Sequence, residues 1–238
     1  MWNLAPTGCR DVLIEGVHVE APPTSPNTDA IDINGCDTAV IRDCDLDEGD
    51  DNVSIKATVG PCANVLVENC RCVHGHGISI GSETYKGIHD VTVRHCTFDG
   101  TVNGIRIKSA RDRGNDLHGF SFSDITMKDV KTAITLNMYY MDRTGSREKA
   151  ASPVTSSTPY LHDVRIENVT ASGGRNAGEI IGLPERVIEN VTLNNVTISA
   201  EKGMNFSDAK GVVCQNTVIN VPKGTGFDQG NAQVTWVK

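Results

Sequence analysis

The chain has 238 residues, 38% of them hydrophobic and 22% charged, with a formal net charge of −8. That balance excludes disorder and a coiled coil, and its acidity argues against non-specific binding to nucleic acid, which needs a basic face. No stretch approaches the ~20 apolar residues of a membrane-spanning helix, and the opening Met1-Trp2-Asn3-Leu4-Ala5-Pro6 has neither the basic nor the apolar segment of a secretion signal.

Residue types point to strands. Val, Ile and Thr number 25, 18 and 21, together 64 residues or 27%, against 9 Leu. Side chains branched at Cβ fit a pleated sheet and lose rotamer freedom in a helix. The 23 Gly and 18 Asn supply turns.

In chain order, one element recurs: a polar residue, alternating Val or Ile, then a polar residue followed by Cys, Val or Ile. It begins with Asp11-Val12-Leu13-Ile14-Glu15-Gly16-Val17 and returns at Ala39 to Cys44, Asn64 to Cys70 and Asp90 to Cys96. Phe122 to Ile125, Asp163 to Val169 and Asn190 to Val196 continue it. Measured at the last residue, the steps are 27, 26, 26, 29, 44 and 27. The long step is accounted for by an inserted loop over 142–159, rich in Ser, Pro and charge. A second short strand sits inside each period: Ile31 to Ile33, Val53 to Ile55, Ile78 to Ile80, Ile105 to Ile107 and Ile134 to Leu136. A leucine-rich repeat needs several Leu per unit, which 9 in the chain do not furnish. The expected fold is all-β, a right-handed parallel β-helix with coils of about 26–29 residues, forming one domain over 1–238.

The period explains some of the cysteines. Cys44, Cys70 and Cys96 are equivalent in successive coils and should stack at the ~4.8 Å spacing of neighbouring strands as buried free thiols. Cys9, Cys36, Cys62, Cys72 and Cys214 read as outward or corner residues, and disulfides among them stay open. Cys70-Arg71-Cys72-Val73-His74-Gly75-His76 resembles a metal site on paper, yet residues two apart on a strand are strung along a line and do not close a tetrahedron. No metal or other cofactor is expected. Asn-x-Ser/Thr occurs at Asn52, Asn168, Asn190, Asn195 and Asn205, but the repeat and the acidic motif explain most of these without glycosylation.

Coil equivalence also says which acids can meet. Two residues before Ile31, Val53 and Ile78 stand Asp29, Asp51 and His76, so two carboxylates and an imidazole fall in one column, with Asp50 beside Asp51. Arg106 and Lys108 share a face of the next rung, about 7 Å apart. Taken singly, each residue fits a solvated edge. Together they suit glycoside hydrolysis: crowded carboxylates repel, some titrate high, one protonates the departing oxygen and another acts on water or the sugar. Arg106 and Lys108 would hold an anionic sugar. Arg111 and Arg113 either extend that anion site or are solvated.

Asn27-Thr28-Asp29, Gly49-Asp50-Asp51, Gly75-His76-Gly77 and Arg106-Ile107-Lys108 resemble, in order and spacing, the four signature motifs of the polygalacturonases, glycoside hydrolase family 28. The resemblance runs from Trp2 to about Val221. The segments Gly77 to Glu83, Asn137-Met138-Tyr139-Tyr140 and Ile181-Gly182-Leu183-Pro184-Glu185 look like its bacterial, exo-type branch. The family implies hydrolysis of the α-1,4-galacturonosyl linkages of pectin with inversion. It implies Asp50 as general acid, Asp29 and Asp51 as activators of water, and His76 as the group that tunes or reloads the acid. Arg106 and Lys108 would bind the galacturonate carboxylate, with Tyr139 and Tyr140 lining the same cleft. The partner is then a pectic polysaccharide or oligogalacturonide, with no nucleic acid or membrane, and a monomer is expected.

Relatives of full length, expected to be secreted or periplasmic, have further coils and a cap before the position of Met1. The chain therefore reads as lacking the N-terminal coils and cap. A hydrolase of rhamnogalacturonan or xylogalacturonan is the neighbouring alternative, and an inactive pectin-binding solenoid the third. A pectate lyase fits less well, because elimination wants calcium ligands and a basic residue where this site is rich in Asp beside a His.

Overall fold

The structure is a computed structural model that describes residues 2–141 and 150–237. Residues 142–149 of the expected loop lie outside the described residues; 150–159 form no strand. Among the described residues every regular element is a strand, and no helix is long and apolar enough to cross a membrane.

The strands stack into three parallel ladders, the walls of a right-handed parallel β-helix. Arg10–Glu15, Asp37–Arg42, Cys62–Glu68 and Ile88–Arg94 open the first, His18–Glu20, Asp45–Glu48, Arg71–His74 and Thr97–Asp99 the second. Ile31–Asn34, Val53–Lys56, Ile78–Ile80, Asn103–Lys108 and Thr132–Asn137 build the third. Asp116–Lys128, Tyr160–Ile181 and Ile188–Ser207 then run unbroken through successive ladders. Register is that of the sequence period. Ile31 pairs Val53, Val53 pairs Ile78, Ile78 pairs Ile105 and Ile105 pairs Ile134. Ile125 pairs Val169 across the long step. Each coil thus has three strands, one more than the two that the sequence pattern makes visible. After Ile188–Ser207 the coils shorten, with Thr192 pairing Val213 and Val213 pairing Thr235.

The recurring polar residues have a conformational reason. Gly16, Asp43, Asn69, His95, Asp124, Asn168, Asn195 and Asn216, at the corner between the first and second ladders, all have φ between +46 and +64. Asn, Asp and Gly tolerate that left-handed region, and a β-branched residue does not. Each turns the chain, and from Asp43 to Asn195 the next residue is buried in the core, as Cys44, Cys70 and Cys96 are.

All eight cysteines are free. Of those read as outward or corner residues, Cys36, Cys62, Cys72 and Cys214 are instead buried, and Cys9 is partly so. Cys9, Cys36 and Cys62 form a second column: each immediately precedes paired residues, Arg10 with Asp37 and Asp37 with Ala63. A thiol is small and apolar enough to fill an inward position at a corner.

Candidate active site

The corner between the second and third ladders carries the acids. Asp45–Glu48 ends in the turn Gly49-Asp50-Asp51, and one coil later Arg71–His74 ends in Gly75-His76-Gly77. Gly75 and Gly77 have φ +58 and +76; a Cβ would come to 2.5 Å from the Asp50 carbonyl oxygen at Gly75, and to 2.1 Å from that of Asn103 at Gly77. Glycine alone fits both places. His76 is thereby pressed against the preceding coil, where its amide donates to the Asp50 carbonyl at 2.6 Å.

Its ring follows. His76 Nδ1 lies 3.1 Å from Asp50 Oδ1, while the Asn27 amide donates to Asp50 Oδ2 at 3.0 Å. Asp51 is held more completely. Its Oδ1 accepts from Ser79 Oγ at 2.8 Å and from an Arg106 Nη at 3.2 Å, and its Oδ2 accepts from Lys108 Nζ at 2.7 Å. On the preceding rung the buried Asp29 has Lys56 Nζ 3.5 Å from its Oδ2; the same ammonium lies 2.6 Å from Asp32 Oδ1 and 3.7 Å from the centre of the Trp2 ring.

These contacts push the acids apart. The imidazole hydrogen bond holds the Asp50 carboxyl down at about 2, because it favours the carboxylate. Asp29 moves upward, through burial first and then the charges of Asp51 and Asp50. Burial raises Asp32 to about 7 in spite of Lys56. Glu48 lies fully inside the coil beneath the Asp50 turn, and among the described residues neither of its carboxyl oxygens has a hydrogen-bond partner. Burial raises it to about 9, so Glu48 is a neutral acid at ordinary pH.

Of the residues singled out in the sequence, the fold gathers Asp29, Asp50, Asp51, His76, Arg106, Lys108 and Tyr140. Asp29, Asp50, Asp51, Lys108 and Tyr140 line a cleft of about 150 Å³ together with Trp2, Asn27 and Lys56. The Tyr140 ring centre is 5.2 Å from Lys108 Nζ and 5.6 Å from the Arg106 guanidinium carbon. Tyr139 stands apart, 5.2 Å from the Arg111 guanidinium, and lines with Tyr140 a wider groove of about 490 Å³. Arg111 lines neither hollow and makes a two-pronged contact with Glu185, at 2.7 and 3.0 Å. Arg113 reaches Ser82 and Asp112. Asp50, Asp51 and His76 offer ligand atoms within 4.8 Å of one another, a spacing a divalent cation could use, although Arg106 and Lys108 already neutralise Asp51.

Ser79, Lys56, Asp32 and Glu48 are the members that sequence reasoning missed. Ser79 pairs Arg106 in register, so the column arithmetic that stacked Asp29 on Asp51 was able to find it. Glu48 left no such trace, since its burial depends on how the corner closes.

Fold and site together define a right-handed parallel β-helix with a cleft of carboxylates and cations along one wall. The family model for Glycosyl hydrolases family 28 matches residues 3–219, and the chain belongs to that family. It is similar to a probable polygalacturonase of Arabidopsis thaliana, with 31% identity over 90% of this chain and 45% of the relative. It is also similar to an endo-polygalacturonase of Pectobacterium parmentieri, with 34% identity over 77% of this chain and 43% of the relative. Among solved structures it superposes on an exopolygalacturonase from Thermotoga maritima with a TM-score of 0.82 and 25% identity, covering 95% of this chain and 51% of that one. The chain spans about half the length of the curated relatives it matches.

Proposed function

We propose that the chain carries the catalytic wall of a hydrolase that cleaves α-1,4-galacturonosyl linkages of polygalacturonate with inversion. The observation that carries this reading is the Asp50–His76 hydrogen bond set beside an Asp51 clamped by two cations, in a family whose similar members are named polygalacturonases. Asp50 is the general acid. Held near 2, its carboxyl is ionised before substrate binds, so the proton it delivers has to reach it along the His76 Nδ1 contact as the glycosidic oxygen takes it up. The proton that Asp29 takes from the attacking water passes to solvent, and a proton from solvent, received by His76, reloads the pair.

The water belongs chiefly to Asp29. Asp50 and Asp51 bring oxygens within 4.8 Å of each other, closer than the ~6.5–9.5 Å that leaves room for water between an inverting pair. Asp29, from the neighbouring rung, shares the cleft, and burial together with the charges of Asp51 and Asp50 raises its affinity for protons, as a base for water requires. Asp51 fixes Arg106 and Lys108, which face the uronate carboxylate with Tyr140 alongside. Proton NMR during the first minutes of digestion of polygalacturonate tests the reading. A β-configured new reducing end is expected; an α-configured one overturns inversion, and an unsaturated product overturns hydrolysis.

A further inference from the structure

Asp29, Asp51 and His76 begin a column that continues past the acid cluster. Asn103 occupies the next rung, and from it the register runs directly through Thr132 and Asn176 to Lys202. Four rungs at ~4.8 Å set Lys202 on the order of 19 Å beyond His76 along the axis. Asn103, Thr132, Asn176 and Lys202 all line the groove of about 490 Å³, which shares Lys108 and Tyr140 with the catalytic cleft. The two hollows are one path along the wall.

Three cations line that groove among the described residues: Arg106, Lys108 and Lys202. The first two are bonded to Asp51. Lys202 is exposed and has no ion pair among the described residues. Between the cluster and Lys202 the column is neutral, and Asn176 Nδ2 donates to Thr132 Oγ1 at 3.2 Å, a fixed row suited to sugar hydroxyls. In the adjacent column Glu179 accepts a hydrogen bond from Asn137 Nδ2 at 2.5 Å.

We propose that Lys202 is a distal specificity residue, receiving the carboxylate of a uronate unit several sugars along the same chain from the bond that is cut. This rests on the hydrolase reading above and deepens it: the groove beyond Tyr140 is built for an anionic oligosaccharide longer than the catalytic cleft can touch. A lysine in this place adds charge without touching the reacting atoms, so its contribution is to binding and depends on chain length.

Kinetics on trigalacturonate and hexagalacturonate test it with the wild type, Lys202→Ala and Lys202→Arg. An exposed pair of this kind is worth up to roughly fivefold in affinity. Lys202→Ala should raise KM for the hexamer by about that factor at unchanged kcat, leave the trimer unaffected, and be rescued by Lys202→Arg. An unchanged hexamer KM, or an equal change on both lengths, overturns the proposal. If the wild type cleaves neither, the hydrolase reading fails, and calorimetric titration of hexagalacturonate still decides the binding role. Weaker binding by Lys202→Ala sustains it; equal binding, or none by the wild type, overturns it.

Discussion

Two columns of this solenoid obey opposite rules. At the corner between the first and second ladders the residue type repeats from coil to coil because the environment repeats. Every member is left-handed, and stacked side chains bond one another: the Asn168 amide donates to the Asp124 carboxylate at 3.0 Å and the Asn195 amide to that of Asn168 at 2.8 Å. The outward column of the third ladder reads Asp29, Asp51, His76, Asn103, Thr132, Asn176, Lys202. It starts with like charges stacked on one another and then changes residue at every rung. Crowding carboxylates at positions this buried opposes folding. A column that repeats serves the coil; one that departs from the repeat at a cost in stability marks the place where the coil is used.

If that contrast is sound, Asp50→Asn separates the two properties. It should lower kcat by about 10³-fold and move Tm by no more than about 3 °C, because Asp50 lies in a turn outside the stacked core. Reducing-sugar release and thermal unfolding measure the two effects. A rate above one-tenth of wild type removes Asp50 from the acid role. Glu48→Gln tests the underside of the same turn. A carboxyl raised from 4.5 to about 9 contributes stability that is complete below its ordinary value and is lost as pH rises through 9. Wild-type Tm should therefore fall relative to Glu48→Gln as pH climbs from 5 to 9. Parallel curves would mean that Glu48 is solvated or paired.

Much of this was legible in the sequence, for a mechanical reason. In a parallel stack the vertical neighbour of a residue is fixed by the coil length, so counting from Ile31 to Val53 to Ile78 places Asp29, Asp51 and His76 before any coordinate is known. Counting fails where a position depends on direction rather than height. Arg106 and Lys108 were placed on the right rung and face, but a sequence does not show that both reach back to Asp51. Cys36 and Cys62 were left among outward or corner residues, and their shared inward column went unread because the period was tracked at one position of the coil, although the steps from Cys9 to Cys36 and from Cys36 to Cys62 are 27 and 26. The third strand of each coil escaped notice because pieces such as His18–Glu20 and Thr97–Asp99 carry a single inward side chain, whereas Ile78–Ile80, equally short, shows two Ile about a Ser.

The repeating column offers the mildest test. Asn195 has φ +55 and donates to Asn168 on the exposed surface. If conformation is what the corner selects, Asn195→Gly keeps the turn and gives up one exposed hydrogen bond, at well under about 1 kcal/mol. Asn195→Val forces a β-branched residue into the left-handed region, at about 1–2 kcal/mol. Urea unfolding ranks the variants, and catalytic rate should not change in either, because the corner and the cleft lie on different walls of the coil. Equal losses in the two variants would mean that the amide ladder, rather than the backbone angle, holds the corner. The repeating columns would then depend on their side chains as much as the cleft does.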